Sequence, residues 1–179
     1  MKNRNEVLEN CHKARPEQDY THLQEFIDNL PYIFMTILGA LVFIIGPKAS
    51  TSNWLFAGLY VIYGIAGALW IIIFVCPYCH YYDTRACPCG YGQISSKLRK
   101  VRDQSRFNEK FKKHIPVIVP LWIIPVVAGI IFLFMNFSVL LLLLVVIFAI
   151  DAFVVLPLLS RKYGCAHCPQ KDNCPWMRK

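Results

Sequence analysis

Four long apolar blocks constrain this chain more than any other feature. They run from Phe26 to Gly46, from Trp54 to Val75, from Ile115 to Met135 and from Phe137 to Leu159. Each is close to the ~20 residues an α-helix needs to cross a hydrocarbon core roughly 30 Å thick. Because a bilayer core holds no water, backbone N–H and C=O groups there must pair within their own segment, so helices are the expected form. Only 17% of the 179 residues are charged, 56% are hydrophobic and the mean hydropathy is +0.41, which excludes a soluble domain of this length. The expected fold class is all-α: a polytopic membrane protein with four transmembrane helices.

The turn GPKASTSN joins the first two blocks, and little more than Asn136 separates the last two. Connections this short predict two antiparallel helical hairpins. The expected layout is an N-terminal tail (1–25), a first transmembrane hairpin (26–75), a Cys-rich and basic loop (76–114), a second transmembrane hairpin (115–159) and a Cys-rich tail (160–179). The first twenty residues are polar and do not resemble a cleaved signal peptide, so the first helix is expected to be retained. Ala57, Gly58, Gly64, Ala66, Gly67 and Ala68 make the second span the natural close-packing helix, and Pro116, Pro120 and Pro125 predict a kink in the third.

Lys and Arg residues near membrane spans are retained on the cytoplasmic side. Eighteen of the nineteen fall in the two tails and the middle loop, and Lys48 alone lies in the first short turn. The expected location is the cell membrane, with both termini and the middle loop cytoplasmic. Topology and attraction to anionic membrane lipid then account for the net charge of +8, with no need for nucleic acid. Within the loop, residues 94–113 space Ile94, Leu98, Val101, Phe107 and Phe111 among Lys97, Arg99, Lys100, Arg102, Arg106 and Lys110. That pattern predicts a cytoplasmic basic amphipathic helix lying in the interface, with a solvated connector as the other reading.

All eight cysteines fall outside the spans. Cys76, Cys79, Cys87 and Cys89 form C-x2-C-x7-C-x-C directly after the second span; Cys165, Cys168 and Cys174 form C-x2-C-x5-C after the fourth; Cys11 lies in the N-terminal tail. In a reducing cytoplasm such clusters point to metal or redox chemistry rather than structural disulfides. Thiolates are soft ligands, suited to iron–sulfur clusters and zinc, and a C-x2-C turn brings two of them to one ion. Cys76, Cys87, Cys168 and Cys174 each precede Pro, a dipeptide that recurs in bacterial ferredoxin runs. The second pair of the first cluster is C-x-C and the other cluster has three cysteines, which departs from paired zinc knuckles. One or two iron–sulfur clusters, of the 4Fe–4S kind, are therefore the first reading and zinc the second. The run from Cys165 to Cys174 resembles that of the auxiliary-cluster domains following some radical enzymes; this implies cluster ligation, although the fourth cysteine of those domains is absent. Cys11 would complete the second set, with His12 or His167 as substitutes.

Two further motifs point elsewhere. Cys76-Pro-Tyr-Cys79-His80 satisfies the C-x-x-C-H pattern of covalent c-type haem, but such attachment takes place outside the cytoplasm. CPYC also resembles the redox dithiol of glutaredoxin-type proteins, and four-helix membrane enzymes that exchange disulfides with quinones place dithiols at helix ends. That resemblance implies a thiol–disulfide oxidoreductase using Cys76 and Cys79. Within the fourth span, Asp151 lies near mid-bilayer, where an ionisable group is costly and by default marks function. Asp151 and Tyr63 are the candidates for an intramembrane proton or quinone site, with Thr36 and the backbone freed by Pro125 as other partners for the carboxyl.

The expected function is electron transfer by a membrane-embedded metal protein, alone or as a subunit of a larger membrane complex, with a soluble redox partner and quinone as candidate partners. A zinc-stapled membrane scaffold without catalysis is the alternative, and quinone-linked thiol exchange the second alternative.

Overall fold

A computed structural model describes residues 19–46 and 51–165, with side chains to residue 162. The described residues form helices and turns with no strand: α1 (His22–Ile44), α2 (Thr51–Phe74), α3 (Tyr91–Leu98), α4 (Phe107–His114), α5 (Pro120–Met135) and α6 (Val139–Ile150). Beyond α6 the helix widens to a π-helical stretch at Asp151–Val155, then runs through Leu156–Leu159 to a second π-helical segment, Ser160–Cys165. Four helical stretches are long and apolar enough to cross a membrane, His22–Ile44, Thr51–Tyr78, Gln104–Met135 and Val139–Lys162. Large apolar side chains such as Ile62, Phe134 and Leu158 remain exposed along them. Apolar surface on this scale belongs in lipid, and the chain is a multi-pass membrane protein.

The first helix starts before its apolar block. The Thr21 hydroxyl accepts from Gln24 N–H at 3.4 Å, while Gln24 Oε1 accepts from Thr21 N–H at 2.9 Å, so the helix begins in a capping box. Within the third helical stretch the regular helix α5 starts only at Pro120, because Pro116 sits in a single 3-10 turn and Pro120 occupies the first position of α5.

The described residues divide into two compact units. An apolar unit comprises residues 30–46, 51–68 and 116–158; a polar unit comprises 19–29, 69–115 and 159–165. In the apolar unit, Met35, Leu38, Ala57, Tyr60, Leu121, Phe148 and Ala152 form the core. Small residues permit the close approaches: Gly39 lies under the Tyr60 ring, Gly64 beside Thr36, Gly67 beside Ile118 and Gly129 against Val145. Gly58, which the sequence grouped with these packing residues, faces open space.

Prolines shape the same unit through the carbonyls they release. In a regular helix Leu121 C=O would accept from residue 125, but Pro125 has no N–H, and the Tyr60 hydroxyl donates to Leu121 O instead at 2.8 Å. Val117 C=O is orphaned too, because residue 120 is proline and Leu121 N–H turns back to Ile118 O; the Tyr63 hydroxyl donates to it. Two tyrosines of α2 thus pair carbonyls that the kinked start of the third span leaves open.

In the polar unit the expected continuous helix over residues 94–113 is broken. α3 ends at Leu98, Arg99 is extended (φ −139°, ψ 152°), and helical turns resume only at Gln104, where Asp103 accepts from Ser105 N–H at 3.0 Å. The intervening strip is tied down by backbone groups: Tyr82 OH donates to Arg99 O at 2.7 Å and Arg102 N–H to Pro77 O at 2.8 Å. These bonds and the Asp103 cap outweigh the helical periodicity of the sequence.

Candidate metal centre

The first cysteine cluster is built from two Cys-Pro turns. Cys76, Pro77 and Tyr78 form one 3-10 turn after α2, closed by Cys79 N–H donating to Cys76 O at 3.0 Å. Cys87, Pro88 and Cys89 form the other, closed by Gly90 N–H donating to Cys87 O at 3.0 Å. Proline in the second position of each presets the backbone for such a turn. Gly90 then takes a left-handed conformation (φ 70°) and leads into α3. Gly92 presses against the Tyr81 carbonyl and the Cys87 side chain, leaving no room for a Cβ, while Asp83 N–H donates to Gly92 O at 3.2 Å.

This second turn surrounds one sulfur with amides. Gly92 N–H donates to Cys87 Sγ at 3.4 Å. Burial pushes the Cys87 thiol above its ordinary pKa, and the backbone N–H groups of Gly92, Cys89, Tyr91 and Gly90 pull in the opposite direction. Amides aimed at a sulfur stabilise its thiolate, the form that ligates metal. Tyr20 lies nearby; burial raises its pKa most, and the negative charges of Asp28, Cys87 and Cys89 add to that.

Residues of α1 brace the same turn, although no sequence pattern marks them. Asn29 Nδ2 donates to Cys89 O at 3.0 Å and to Glu25 O at 2.7 Å, Tyr20 N–H donates to Arg85 O at 2.9 Å, and Gln93 Nε2 donates to Glu25 Oε1 at 3.4 Å. Asn29 and Cys89 are 60 positions apart in the chain, too far for local spacing to reveal the contact. His80, the last residue of the C-x-x-C-H pattern, is buried and sits edge-on to Tyr81.

Cys76, Cys79, Cys87 and Cys89 form no disulfide among the described residues, with Cys76 buried and the others partly so. Among the described residues, no three His, Cys, Asp or Glu side chains stand as a ready metal-binding group. The side chain of Cys165 lies outside the described residues, as do Cys168, Cys174, Cys11, His12 and His167, so the second cluster and its completion by Cys11 are not part of this geometry.

The candidate intramembrane site differs from the sequence expectation. Asp151 is 5% exposed, and its Oδ2 has no hydrogen-bond partner among the described residues. None of its expected partners takes that oxygen: Tyr63 donates to Val117 O, Thr36 Oγ1 donates to Tyr32 O at 2.9 Å, and Tyr60 takes the carbonyl that Pro125 frees. Asp151 opens the π-helical stretch, its N–H shared between Ile147 O and Phe148 O, and Leu156 N–H donates to its carbonyl. Pro157 explains the widening, since it offers no N–H and its ring crowds the carbonyl four residues back. Comparison of the chain with known protein families, with characterised proteins and with solved structures finds no match.

Proposed function

We propose that this membrane protein holds an iron–sulfur centre on the thiolates of its first cysteine cluster and carries electrons at the membrane surface. The supporting observation is the Cys87 sulfur, which opens a tight Cys-Pro turn braced by Asn29 and receives the N–H of Gly92 in the first turn of α3. Hydrogen bonds to ligating sulfurs are among the means by which proteins tune cluster potential. Cys76, Cys79, Cys87 and Cys89 are the proposed ligands, and Cys165, Cys168, Cys174 and Cys11 a second set. A cluster bound there would accept and pass on single electrons. The residues of this chain would hold it, stabilise its sulfurs with amide donors and limit water access through the burial of Cys76 and His80.

The same proposal places both termini and the loop from 76 to 114 on the cytoplasmic side, with the spans paired as two antiparallel hairpins, on the strength of the Lys and Arg distribution. Asp151, buried with an unpartnered oxygen, is the proposed point for proton or quinone exchange, with Tyr63 of α2 as the second residue of that proposed site. A quinone, a soluble redox protein or a larger membrane complex would be the partner. Zinc on the same thiolates is the second reading, because a Cys-Pro turn with amide donors suits it equally; it makes the protein a scaffold.

Anaerobic purification in mild detergent, followed by an absorption spectrum and assays of iron, zinc and acid-labile sulfide, tests these readings. Iron with sulfide in a coloured protein is the expected result. Stoichiometric zinc in a colourless protein would move the function to the scaffold, and a metal-free protein would leave thiol exchange by Cys76 and Cys79.

A further inference from the structure

The polar unit contains a cavity that the metal-site reading leaves unused. It has a volume of about 220 Å³, with Arg99, Arg102 and Lys110 on its walls and Ile73, Phe74 and Tyr78 among its apolar lining. The cations are held in place. The Arg99 guanidinium lies 6.0 Å from the Phe74 ring centre and Lys110 Nζ 5.9 Å from that of Tyr78. The backbone of the strip bearing both arginines is pinned by Tyr82 OH on Arg99 O and by Arg102 N–H on Pro77 O. His114 closes the lining and accepts Trp70 Nε1–H at its Nδ1 at 3.2 Å.

Counter-charge is scarce at this cavity. Glu109 pairs with Lys110 at 3.5 Å and with Arg106 at 3.3 Å, and among the described residues no salt bridge reaches Arg99 or Arg102. Two arginines and a lysine converging with a single shared carboxylate form a site for an anion, and the guanidinium fork matches phosphate oxygens in particular. The apolar part of the lining continues from the end of α2, the end of a candidate membrane span. A ligand that fits both halves has a phosphate head and an apolar tail. The volume is below the roughly 300–1,000 Å³ of pockets that enclose a whole drug-sized ligand, so a headgroup enters and its tail stays outside.

We propose that this cavity binds a phosphate ester, namely the headgroup of an anionic phospholipid. The inference rests on these cations and the shape of the cavity rather than on metal at the cysteines, although Pro77 and Tyr78 of the Cys76–Cys79 turn form part of the wall. Basic pockets at the ends of membrane helices take such headgroups through the same combination of charge and apolar wall.

The test titrates the full-length protein in detergent with phosphatidylglycerol, with phosphatidylcholine and with inorganic phosphate, reading bound ligand by native mass spectrometry. Phosphatidylglycerol is expected to bind more tightly than phosphatidylcholine, and the R99Q/R102Q double variant to lose about tenfold in affinity for each arginine removed. The K97Q/K100Q variant removes equal charge from the same segment outside the cavity lining, and should lose no more than about twofold, as screened surface charges do. Equal losses in the two variants, or equal affinity for both lipids, would overturn the pocket. Displacement by inorganic phosphate at lipid-like concentrations would keep the phosphate chemistry and overturn the lipid as its source. Circular dichroism checks folding; should R99Q/R102Q not fold, K110Q carries the same prediction with both arginines retained.

Discussion

The apolar and polar units face the same problem, backbone groups that the local fold leaves unpaired, and solve it in opposite directions. In the apolar unit the orphans are carbonyls released around Pro120 and Pro125, and tyrosine hydroxyls of α2 donate to them. In the polar unit the spare groups are amide donors, and a cysteine sulfur receives one of them. The difference follows from the surroundings. An orphan carbonyl in hydrocarbon has no water to fall back on, so the protein must supply a donor for it. Outside the hydrocarbon the demand relaxes, and turns can keep donors or cations in reserve for a thiolate or a phosphate. The chemistry proposed for this chain is therefore concentrated in the polar unit, with Asp151 as the exception in the apolar one.

Loss of metal should give the largest effect and test the chemical half of this contrast. Cys87→Ser is expected to weaken metal binding by more than ~100-fold, beyond the range for outer partners of a ligand, while circular dichroism reports an unchanged helical content. Retention of metal by this variant would remove Cys87 from the ligand set. Steric changes come next. Gly92→Ala forces a Cβ against the Tyr81 carbonyl, whereas Gly129→Ala meets the Val145 side chain, a clash that a small parting of the two helices relieves. Thermal unfolding should show a loss of about 3 kcal/mol for the first and nearer 1 for the second. Equal losses would mean that the cysteine turn is as adaptable as the helix packing.

Tyrosine–carbonyl pairing should have a smaller effect and sharpens the other half. Tyr60→Phe is expected to destabilise by about 1–2 kcal/mol, because it strands Leu121 O in an apolar core. Adding Pro125→Ala returns an N–H to that carbonyl, so the double variant should lose less than the sum of the single changes. Strict additivity in the cycle would show that the tyrosine does not serve the carbonyl Pro125 releases. Asp151→Leu should have the smallest effect, between neutral and a stabilisation of about 1 kcal/mol, since a buried carboxyl oxygen without a partner is unfavourable in the folded state. A loss larger than that in a denaturation experiment would reveal a partner for Asp151 and remove the contrast between it and the paired tyrosines.

The four spans were legible because bilayer thickness sets a length that any apolar run must meet, and the observed helices carry those runs. Their ends were less so. Hydropathy does not register the Thr21–Gln24 capping box that starts α1, nor the 3-10 turn around Pro116 that precedes α5 within the third span. The loop from 94 to 113 misled because its apolar spacing is helical, while Tyr82 and Pro77 draw its middle into an extended strip. Cysteine spacing pointed to a turn at Cys76–Cys79 but not to the one at Cys87–Gly90, and nothing in it pointed to Asn29 or Tyr20.

By itself the sequence determined what local chemistry and solvent dictate: helices where apolar runs match the bilayer, a turn at the C-x2-C pair Cys76–Cys79, and the crowding of cations into the segments outside the spans. Only the tertiary structure decided which groups meet. It gave Tyr63 to the Val117 carbonyl rather than to Asp151, brought Asn29 to the Cys89 carbonyl, and gathered Arg99, Arg102 and Lys110 around one cavity. Helix formation is set within a few residues along the chain, whereas an unpaired donor or acceptor takes whatever partner packing brings within about 3 Å, and sequence distance carries no record of that.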